Sequence, residues 1–291
     1  MSKKPYDFLA TDKQVMLFRA KSKIHMRDGF LEALNGERGT EIIAPSSHLV
    51  LLLGYGTSIT QDAAIFAAQH DMQIAFVRGG CNIHSFWMSG RFQDPQFILN
   101  QAGLINTNKL TIAKWLLEYR LRRHGYSQDL IDEMNATKDI VFLTAWEGRW
   151  AKQVYKEYAL RRKQLFTRNF DSTDEANIKL NILNNALYSI CTALCLSCGV
   201  HPSLGFIHGA TRRGGLAFDL ADIIKNDSTL PIAFDKKISS DKQCMYKLAE
   251  VLRSNNEERI KTLVRLILMI GSGSLEQLKD FCVGSSHQQL T

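Results

Sequence analysis

The sequence predicts an α+β protein, in which a small β-rich N-terminal domain (residues 1–93) precedes a larger all-helical domain (residues 94–291). Up to Trp87 the chain consists of short apolar runs separated by turn signals, which is typical of strands. Beyond Pro95 it changes to long runs of helical periodicity in which glycine and proline are scarce. The 291 residues, 45% of them hydrophobic, are enough to form a sizeable core.

Strands in the N-terminal domain are predicted from apolar runs bounded by turn residues. Asp28-Gly29 and Asn35-Gly36 are the strongest hairpin signals, because such pairs readily adopt the positive φ of tight hairpin turns. The predicted strands are Val15–Arg19, Lys23–Met26, Phe30–Leu34, Glu41–Ile43, His48–Leu53, Met72–Val77 and Asn82–Trp87.

Helices are predicted throughout the second domain, and one is predicted within the first. The short one spans Gln61–His70, with Thr60 as its expected N-cap. The polar tail Val283–Thr291 is expected to fray. The predicted helices of the second domain are Gln96–Leu104, Lys109–His124, Gln128–Met134, Lys138–Thr167, Glu175–Gly199, Leu216–Lys225 and Asp241–Ile270.

Basic charge is concentrated in the middle of the chain. The 36 Lys and Arg against 29 Asp and Glu give a net charge of +7. Residues 1–95 hold 10 basic and 9 acidic side chains, residues 96–170 hold 13 and 7, and residues 171–291 hold 13 and 13. A basic patch of this kind favours nucleic acid as the partner, because each neutralised phosphate releases counterions. A solvated helix face is the alternative interpretation.

The sequence shows no membrane-spanning run of about 18 apolar residues, and residues 1–13 are too polar for a secretory leader. We therefore expect a cytoplasmic protein without a membrane partner, whose six cysteines stay reduced. Cys191, Cys195, Cys198 and His201 have spacings that a zinc site could use. The three cysteines recur on one helical stripe without a second ligand pair, so packing in the core is the preferred interpretation.

The most informative motif places one histidine and two carboxylates close together. His208 lies in a glycine-rich loop, and Asp219 and Asp222 follow on a helix at i and i+3, hence on one face. An imidazole and two carboxylates around one centre suit Mg²⁺ or Mn²⁺. Alternatively, the two Asp residues stabilise the helix dipole and His208 is satisfied by solvent or backbone.

A second motif places a single acid, Glu147, in an otherwise apolar and basic helix. The adjacent Gly148 costs roughly 1 kcal/mol of helix propensity relative to alanine, so either something approaches the backbone closely or the site tolerates the loss. Glu147 requires a cation, which is either a metal ion or a neighbouring base such as Arg149. The side of this helix predicted to be buried comprises Val141, Phe142, Leu143, Ala145, Ala151 and Val154.

Basic side chains around both motifs are candidate phosphate contacts. Arg212, Arg213 and Lys225 are expected to hold the scissile phosphate, and Arg91 and Arg149 are further candidates for DNA contact. The residues expected to follow a duplex backbone are Lys109, Lys114, Arg120, Arg122, Arg123, Lys152, Lys156, Arg161, Arg162 and Lys163.

Three motifs in this order resemble the CRISPR adaptation integrase family, the Cas-one family, over nearly the whole chain. They are Glu147 within Trp-Glu-Gly-Arg, His208 within Gly-Phe-Ile-His, and the pair Asp219 and Asp222. The chain is most similar to the type I branches of the family, and we place it in I-F. The resemblance implies an N-terminal β domain joined to a C-terminal helical domain. It also implies roles for individual residues: metal ligands Glu147, His208 and Asp222, an adjacent active-site carboxylate Asp219, and nearby Tyr188 and Lys225.

The activity implied by the resemblance is metal-dependent DNA strand transfer. The 3′-hydroxyl of an incoming fragment attacks a phosphodiester at the end of a CRISPR repeat, and endonucleolytic hydrolysis is a side reaction. The implied cofactor is Mg²⁺ or Mn²⁺, and the implied partners are double-stranded DNA, a second copy of the chain, and a Cas-two protein or its helicase-nuclease fusion. The residues alone leave two alternatives open: a structure-specific metal-dependent repair nuclease, and a non-catalytic DNA-binding scaffold.

Overall fold

The computed structural model describes residues 14–36, 39–44, 47–78, 82–87, 95–209, 214–254 and 256–284. Strands occupy the N-terminal part and helices the remainder, which confirms the predicted α+β class. The N-terminal elements are β1 (Gln14–Arg19), β2 (Ser22–Arg27), β3 (Phe30–Asn35), β4 (Gly39–Ile43), β5 (His48–Leu53), β6 (Ser58–Ile59), α1 (Gln61–Gln69), β7 (Gln73–Arg78) and β8 (Asn82–Trp87).

The described strands form two mixed sheets. One has the order β1-β5-β7-β8, with β1, β5 and β7 parallel and β8 antiparallel; the other has the order β4-β3-β2-β6. Each predicted strand is found within two residues of its expected bounds, and only the two-residue β6 was not predicted. Asp28 and Gly29 take φ values of 49° and 81° in the β2–β3 hairpin, and the Thr60 side chain accepts the Ala63 N–H at 3.4 Å.

The helical part begins at Pro95 and departs from the predicted segments in three places. The two segments predicted before residue 125 form one helix with non-helical φ/ψ at Asn108, the segment predicted to reach Thr167 ends at Arg161, and the last predicted segment is two helices. The helices are α2 (Pro95–Arg123), α3 (Gln128–Asn135), α4 (Ile140–Arg161), α5 (Glu175–Cys198), α6 (Gly215–Ile224), α7 (Thr229–Ala233), α8 (Asp241–Ser254), α9 (Asn256–Ser272) and α10 (Leu275–Val283), with a 3₁₀ turn at Lys225–Asp227.

Helix α5 is the centre of the helical core. It packs against α6, α7, α8 and α9 and also against β5, β7 and β8. By length and composition it is the one described helix that could cross a membrane, but 72% of its apolar window is buried within the fold. Cys191 and Cys195 lie on this helix as fully buried free thiols, and Cys198 is a half-buried one, which confirms the prediction that they pack in the core.

Strand β5 contributes side chains to both hydrophobic cores of the protein. Val50 and Leu52 belong to the large core of the helical part, whereas Leu51 and Leu53 belong to a smaller core between the sheets and α1. This division follows from the alternation of side chains along a strand. The large core also fixes α2, α4 and α6, which carry the acidic and basic side chains of the candidate site.

Candidate active site

Asp219 organises the loop that carries His208. From α6 its buried carboxylate accepts hydrogen bonds from the backbone N–H groups of Phe206 (2.7 Å), Ile207 (3.2 Å) and His208 (2.9 Å). It also lies 2.9 Å from His208 Nδ1. Asp219 stands beyond the first turn of α6, where the helix dipole acts, and these four contacts are directed at the loop, so the structure favours the loop-organising role over the dipole interpretation.

The contact with Asp219 leaves the other ring nitrogen of His208 directed at Asp222. With Nδ1–H donating to Asp219, Nε2 carries the free lone pair and lies 3.9 Å from Asp222 Oδ2. Burial acts to lower the pKa of His208, but the hydrogen bond to Asp219 and the charges of Asp222 and Glu147 outweigh it and raise that pKa above its usual value. The imidazole and the Asp222 carboxylate are thus brought together as predicted.

Glu147 reaches the same region from α4, with Arg120 between it and Asp222. Arg120 Nη1 lies 3.0 Å from Glu147 Oε1 and 3.7 Å from Asp222 Oδ2. The cation beside Glu147 is therefore Arg120, and Arg149 is exposed. The predicted buried side of α4 was partly wrong: Val141 and Phe142 are 72% and 64% exposed and Ala145 is exposed, so Leu143, Trp146, Glu147, Trp150 and Val154 form the buried side.

The buried Lys225 and the partly buried Tyr188 lie next to Asp222. The Lys225 ammonium donates to Asp222 Oδ1 and to the Tyr188 hydroxyl, the latter at 3.2 Å. Burial opposes ionisation of Asp222, but Lys225 and Arg120 hold the pKa of its carboxyl well below the usual range. The resemblance placed both Tyr188 and Lys225 near the centre, and they do lie beside Asp222.

The donor set fits a hard divalent cation in chemistry and, for two of the three ligands, in geometry. Metal–ligand bonds of roughly 2.0–2.2 Å allow one ion to span two atoms about 4 Å apart, and His208 Nε2 and Asp222 Oδ2 are 3.9 Å apart. Arg120 lies between Glu147 and Asp222, so Glu147 is separated from the other two ligands. In the part of the chain that the structure describes, no three His, Cys, Asp or Glu side chains lie close enough together to hold a metal ion. The assignment of Glu147, His208 and Asp222 as ligands therefore stays a prediction.

Gly215 allows α6 to pack closely against the loop that carries His208, and comparison with Gly148 tests this contact. A Cβ on Gly215 would lie 2.5 Å from the carbonyl oxygens of both Ser203 and His208, whereas a Cβ on Gly148 would meet nothing within 4 Å. We expect Gly215→Ala to lower the free energy of unfolding by roughly 1–3 kcal/mol through overpacking. Gly148→Ala should raise it by up to about 1 kcal/mol through helix propensity. Urea denaturation of both variants measures this, and equal effects would contradict the described contacts.

His124 fixes the end of α2 against α6 and gives the fold a pH dependence. Its Nε2 lies 3.1 Å from the Ile223 carbonyl oxygen, and burial lowers its pKa from 6.5 to about 4, with Arg120 and Arg123 contributing and Asp227 opposing. The unfolded chain therefore binds a proton below about pH 6.5 that the folded protein excludes, so the free energy of unfolding falls as the pH drops from there towards 4.

The expected contribution of His124 is a loss of about 2 kcal/mol between pH 7.5 and about pH 5. Urea denaturation at both values measures it, with His124→Gln as the comparison because glutamine can still donate to Ile223 and does not titrate. The variant should lose correspondingly less stability than the natural protein. The same loss in both proteins would contradict the assigned burial of a neutral imidazole.

The basic residues divide into internal contacts and an exposed set. On α2, Arg120 is 4% exposed, so the prediction that it follows a duplex is wrong. Arg123 contacts Asp227 at 3.0 Å, and Lys114 donates to the carbonyls of Asn135 and Thr137, but both are only partly buried, so their contact with a duplex stays a prediction. The exposed basic residues on α4 and just after it are Arg149, Lys152, Lys156, Arg161, Arg162 and Lys163. Arg91, Arg212 and Arg213 lie outside the described residues and stay predictions.

Sequence reasoning did not assign Arg120 and Lys109 to the site. Arg120 lies 4.5 Å from the Trp150 ring centre and donates to Asn226 Oδ1 at 3.4 Å, so its position between the two carboxylates is fixed. Lys109 follows the irregular Asn108, and its ammonium lies where a Cβ on Gly209 would come within 2.7 Å. Arg120 occurs at i+4 from the buried Leu116, and a basic residue at an apolar helix position was the signal available for it.

Comparison with known proteins identifies relatives along most of the chain. The family described as CRISPR associated protein Cas1 matches residues 15–265. A CRISPR-associated endonuclease Cas1 of Pseudomonas aeruginosa (strain UCBPP-PA14) is 26% identical in an alignment 238 residues long that covers 68% of this chain and 74% of that protein. One of Clostridium sp. (strain SY8519) is 25% identical in an alignment 285 residues long that covers 92% of this chain and 90% of that protein.

Solved structures share the fold at low sequence identity. A TtCas1–DNA complex has a TM-score of 0.71 at 20% identity and covers 88% of this chain and 90% of its own. A casposase bound to its integration product has a TM-score of 0.74 at 13% identity, with 90% and 92% covered. A Cas6-RT-Cas1–Cas2 complex has a TM-score of 0.73 at 13% identity, with 96% of this chain but 37% of that longer one covered.

Proposed function

The chain belongs to the Cas1 family of CRISPR-associated proteins, and from this premise we propose that it is a metal-dependent DNA integrase that inserts new spacer fragments into a CRISPR array. The observation that supports the proposal most is the pair formed by His208 Nε2 and Asp222 Oδ2, 3.9 Å apart, with Asp219 holding the opposite ring nitrogen. A histidine oriented in this way by a carboxylate is a frequent arrangement around bound metals.

Under this proposal Glu147, His208 and Asp222 hold Mg²⁺ or Mn²⁺. When bound, the ion polarises the scissile phosphate and stabilises the negative charge that grows as the phosphodiester is exchanged. Asp219 fixes the His208 ring, and Lys225 orients Asp222. His208 is not assigned as a general base, because Nδ1–H is held by Asp219 and Nε2 is directed at the ligand position.

DNA reaches this site across exposed basic surface. The loop at Gly209 is approached by Lys109, and Lys152 and Lys156 lie exposed on the helix that carries Glu147. Phosphate contacts of this kind hold a duplex without reading its sequence. The DNA and integration product named in two structures of similar fold are consistent with double-stranded DNA as the substrate here.

The partners follow from the chemistry of a two-ended fragment. Inserting both ends requires two strand transfers, so we propose a symmetric homodimer acting in the cytoplasm, with no membrane partner. A Cas2 protein would bridge its halves, as the name of one complex of similar fold suggests. A place in the type I-F branch is part of the proposal, and a reading frame fusing Cas2 to a helicase-nuclease beside the gene would support it.

The activity is tested by incubating the protein with Mn²⁺, a fragment with free 3′-hydroxyl ends and a supercoiled repeat-bearing plasmid, with and without the Cas2 partner. We expect covalently joined product, which Glu147→Gln abolishes. Glu157→Gln, which alters a carboxylate on the same helix that accepts a hydrogen bond from Gln153, should retain joining. Cleavage without joining would favour a repair nuclease. If the unaltered protein neither cleaved nor joined DNA, and Glu147→Gln left duplex binding unchanged, a non-catalytic scaffold would be favoured.

A further inference from the structure

The carboxylates of the candidate site are already paired with buried cations. Glu147 Oε1 is bound by Arg120 at 3.0 Å, and Asp222 Oδ1 is bound by Lys225. All four side chains are at most 10% exposed. Asp219 adds a negative charge, but that carboxylate is committed to three backbone N–H groups and His208. The charges of the two carboxylate ligands are therefore balanced before any metal arrives.

Further contacts hold both cationic side chains in the site. The Arg120 guanidinium stacks on Trp150 and donates to Asn226 Oδ1, and Lys225 also donates to the Tyr188 hydroxyl. An arginine keeps its charge at every accessible pH. Removing a buried cation from a buried carboxylate exposes both to an uncompensated environment, which costs several kcal/mol. A divalent ion entering the site thus meets two fixed positive charges within a few ångströms.

Like charges at this separation repel strongly when they are shielded from water. The binding of Mg²⁺ or Mn²⁺ by Glu147, His208 and Asp222 should therefore be weak in the free protein. A phosphodiester in the site carries the negative charge that is missing, and it can be contacted by the metal, by Arg120 and by Lys225 together. The bound phosphate would then turn the two cations from competitors of the metal into shared partners.

We infer that the site binds its divalent cation cooperatively with a DNA phosphate, and that Arg120 sets this coupling by lowering metal affinity while DNA is absent. This inference rests on the proposed function, because it takes Glu147, His208 and Asp222 as ligands. Coupling between two ligands is reciprocal, so the metal raises affinity for DNA by the factor by which DNA raises affinity for the metal. The device restricts metal loading, and with it hydrolysis, to protein that holds DNA.

The first experiment needs no variant with an altered Arg120. Binding of Mn²⁺ to the full-length protein is followed by electron paramagnetic resonance of the free ion, with and without a short duplex. The Asp222→Asn protein, measured in parallel with the same duplex, accounts for Mn²⁺ bound by the DNA itself. We expect the duplex to tighten the Asp222-dependent binding by at least about five-fold. An unchanged affinity would overturn the inference and leave the proposed metal site standing.

The second experiment assigns the effect to Arg120. Arg120→Gln removes its charge and should tighten Mn²⁺ binding in the absence of DNA by about five-fold or more while shrinking the gain from the duplex. Arg265→Gln is the control, since it removes an equal charge from an exposed position on α9. Arg120→Lys keeps the charge and should behave as the natural protein does.

Two outcomes of the second experiment count against the inference. If Arg120→Gln bound Mn²⁺ as tightly as the natural protein or more weakly, with an unchanged circular dichroism spectrum, Arg120 would only position Glu147. Its assigned role in the coupling would then be overturned. Absence of any Asp222-dependent Mn²⁺ binding, with or without DNA, would instead remove the metal site, and the proposed function would fail together with the inference. The DNA comparison on the unaltered chain still decides the coupling if Arg120→Gln does not fold.

Discussion

Replacing Asp222 with asparagine is expected to reduce DNA joining by more than about 100-fold, because under the proposed function the substitution removes the charge of a metal ligand that would supply several kcal/mol of transition-state stabilisation. The side chain keeps its size, so the packing of α6 is preserved. Duplex affinity without a divalent ion should be kept, since the substitution removes a negative charge and no phosphate contact. Rates of strand transfer with Mn²⁺ and a DNA-binding titration in the presence of a chelator measure the two effects separately.

The control for this prediction is Asp129→Asn, which removes an equal charge from an exposed position on α3. It should join DNA at the natural rate. If Asp222→Asn retained more than about a tenth of the natural rate, Asp222 would not be a ligand in the reaction. Loss of DNA binding in parallel with joining would point to a structural or phosphate-binding role instead.

Asp219→Asn is expected to lower the free energy of unfolding by more than about 3 kcal/mol. Its carboxylate accepts three backbone N–H groups and the ring N–H of His208. An amide offers one oxygen in place of two and turns an N–H group towards donors. Hydrogen bonds to a charged group are worth about 1.5–3 kcal/mol each, and unsatisfied buried donors add to the loss.

The effect of Asp219→Asn should also appear in catalysis, through the orientation of His208. Loss of a residue that orients a ligand typically lowers activity or metal affinity by about 10–100-fold. Asp174→Asn is a suitable control, because that carboxylate also accepts a backbone N–H, from Asn177, but at an exposed helix N-cap. There a cost of about 1 kcal/mol or less and unchanged joining are expected. Equal destabilisation by both substitutions would refute the loop-organising role of Asp219.

The strands and the long helices could be predicted because their signals are local. His48–Leu53 reads as a strand from its continuous apolar run, and the Asp28-Gly29 turn adopts the positive φ angles that its residues favour. Helix α7, by contrast, has five residues and contains Pro231, and α10 has nine residues. Five residues carry too little periodicity to be recognised, so tertiary packing decides α7. Helix α10 is as long as the predicted α1, but it lacks the side-chain cap that Thr60 provides for α1.

The candidate site was predictable where its parts are close in sequence. His208, Asp219 and Asp222 lie within one loop–helix unit, and the i, i+3 spacing places the carboxylates on one face. Arg120 is separated from Glu147 by 27 positions and from Asn226 by 106. No local pattern indicates which buried base will meet a buried acid across such distances, which is why Arg120 was placed on the DNA surface instead.

The prediction for α4 failed for a related reason. Val141 and Phe142 are apolar but stand in the first turn of the helix, where the described residues do not cover them. The buried side is set instead by Trp146 and Trp150, whose rings stack at 6.0 Å. Apolar character alone therefore placed the stripe incorrectly, and the aromatic pair that faces Arg120 determined which way Glu147 points.

The proposed activity requires one divalent cation to be bound jointly by Glu147 of α4 and by His208 and Asp222 of the loop and α6. Anomalous diffraction at the manganese edge, from crystals of the full chain grown with Mn²⁺ and a short duplex, locates that cation directly. A single strong peak within about 2.2 Å of His208 Nε2, Asp222 and a Glu147 oxygen is the expected result. A peak that excludes His208 and Asp222, with both side chains still in their present contacts, would contradict it.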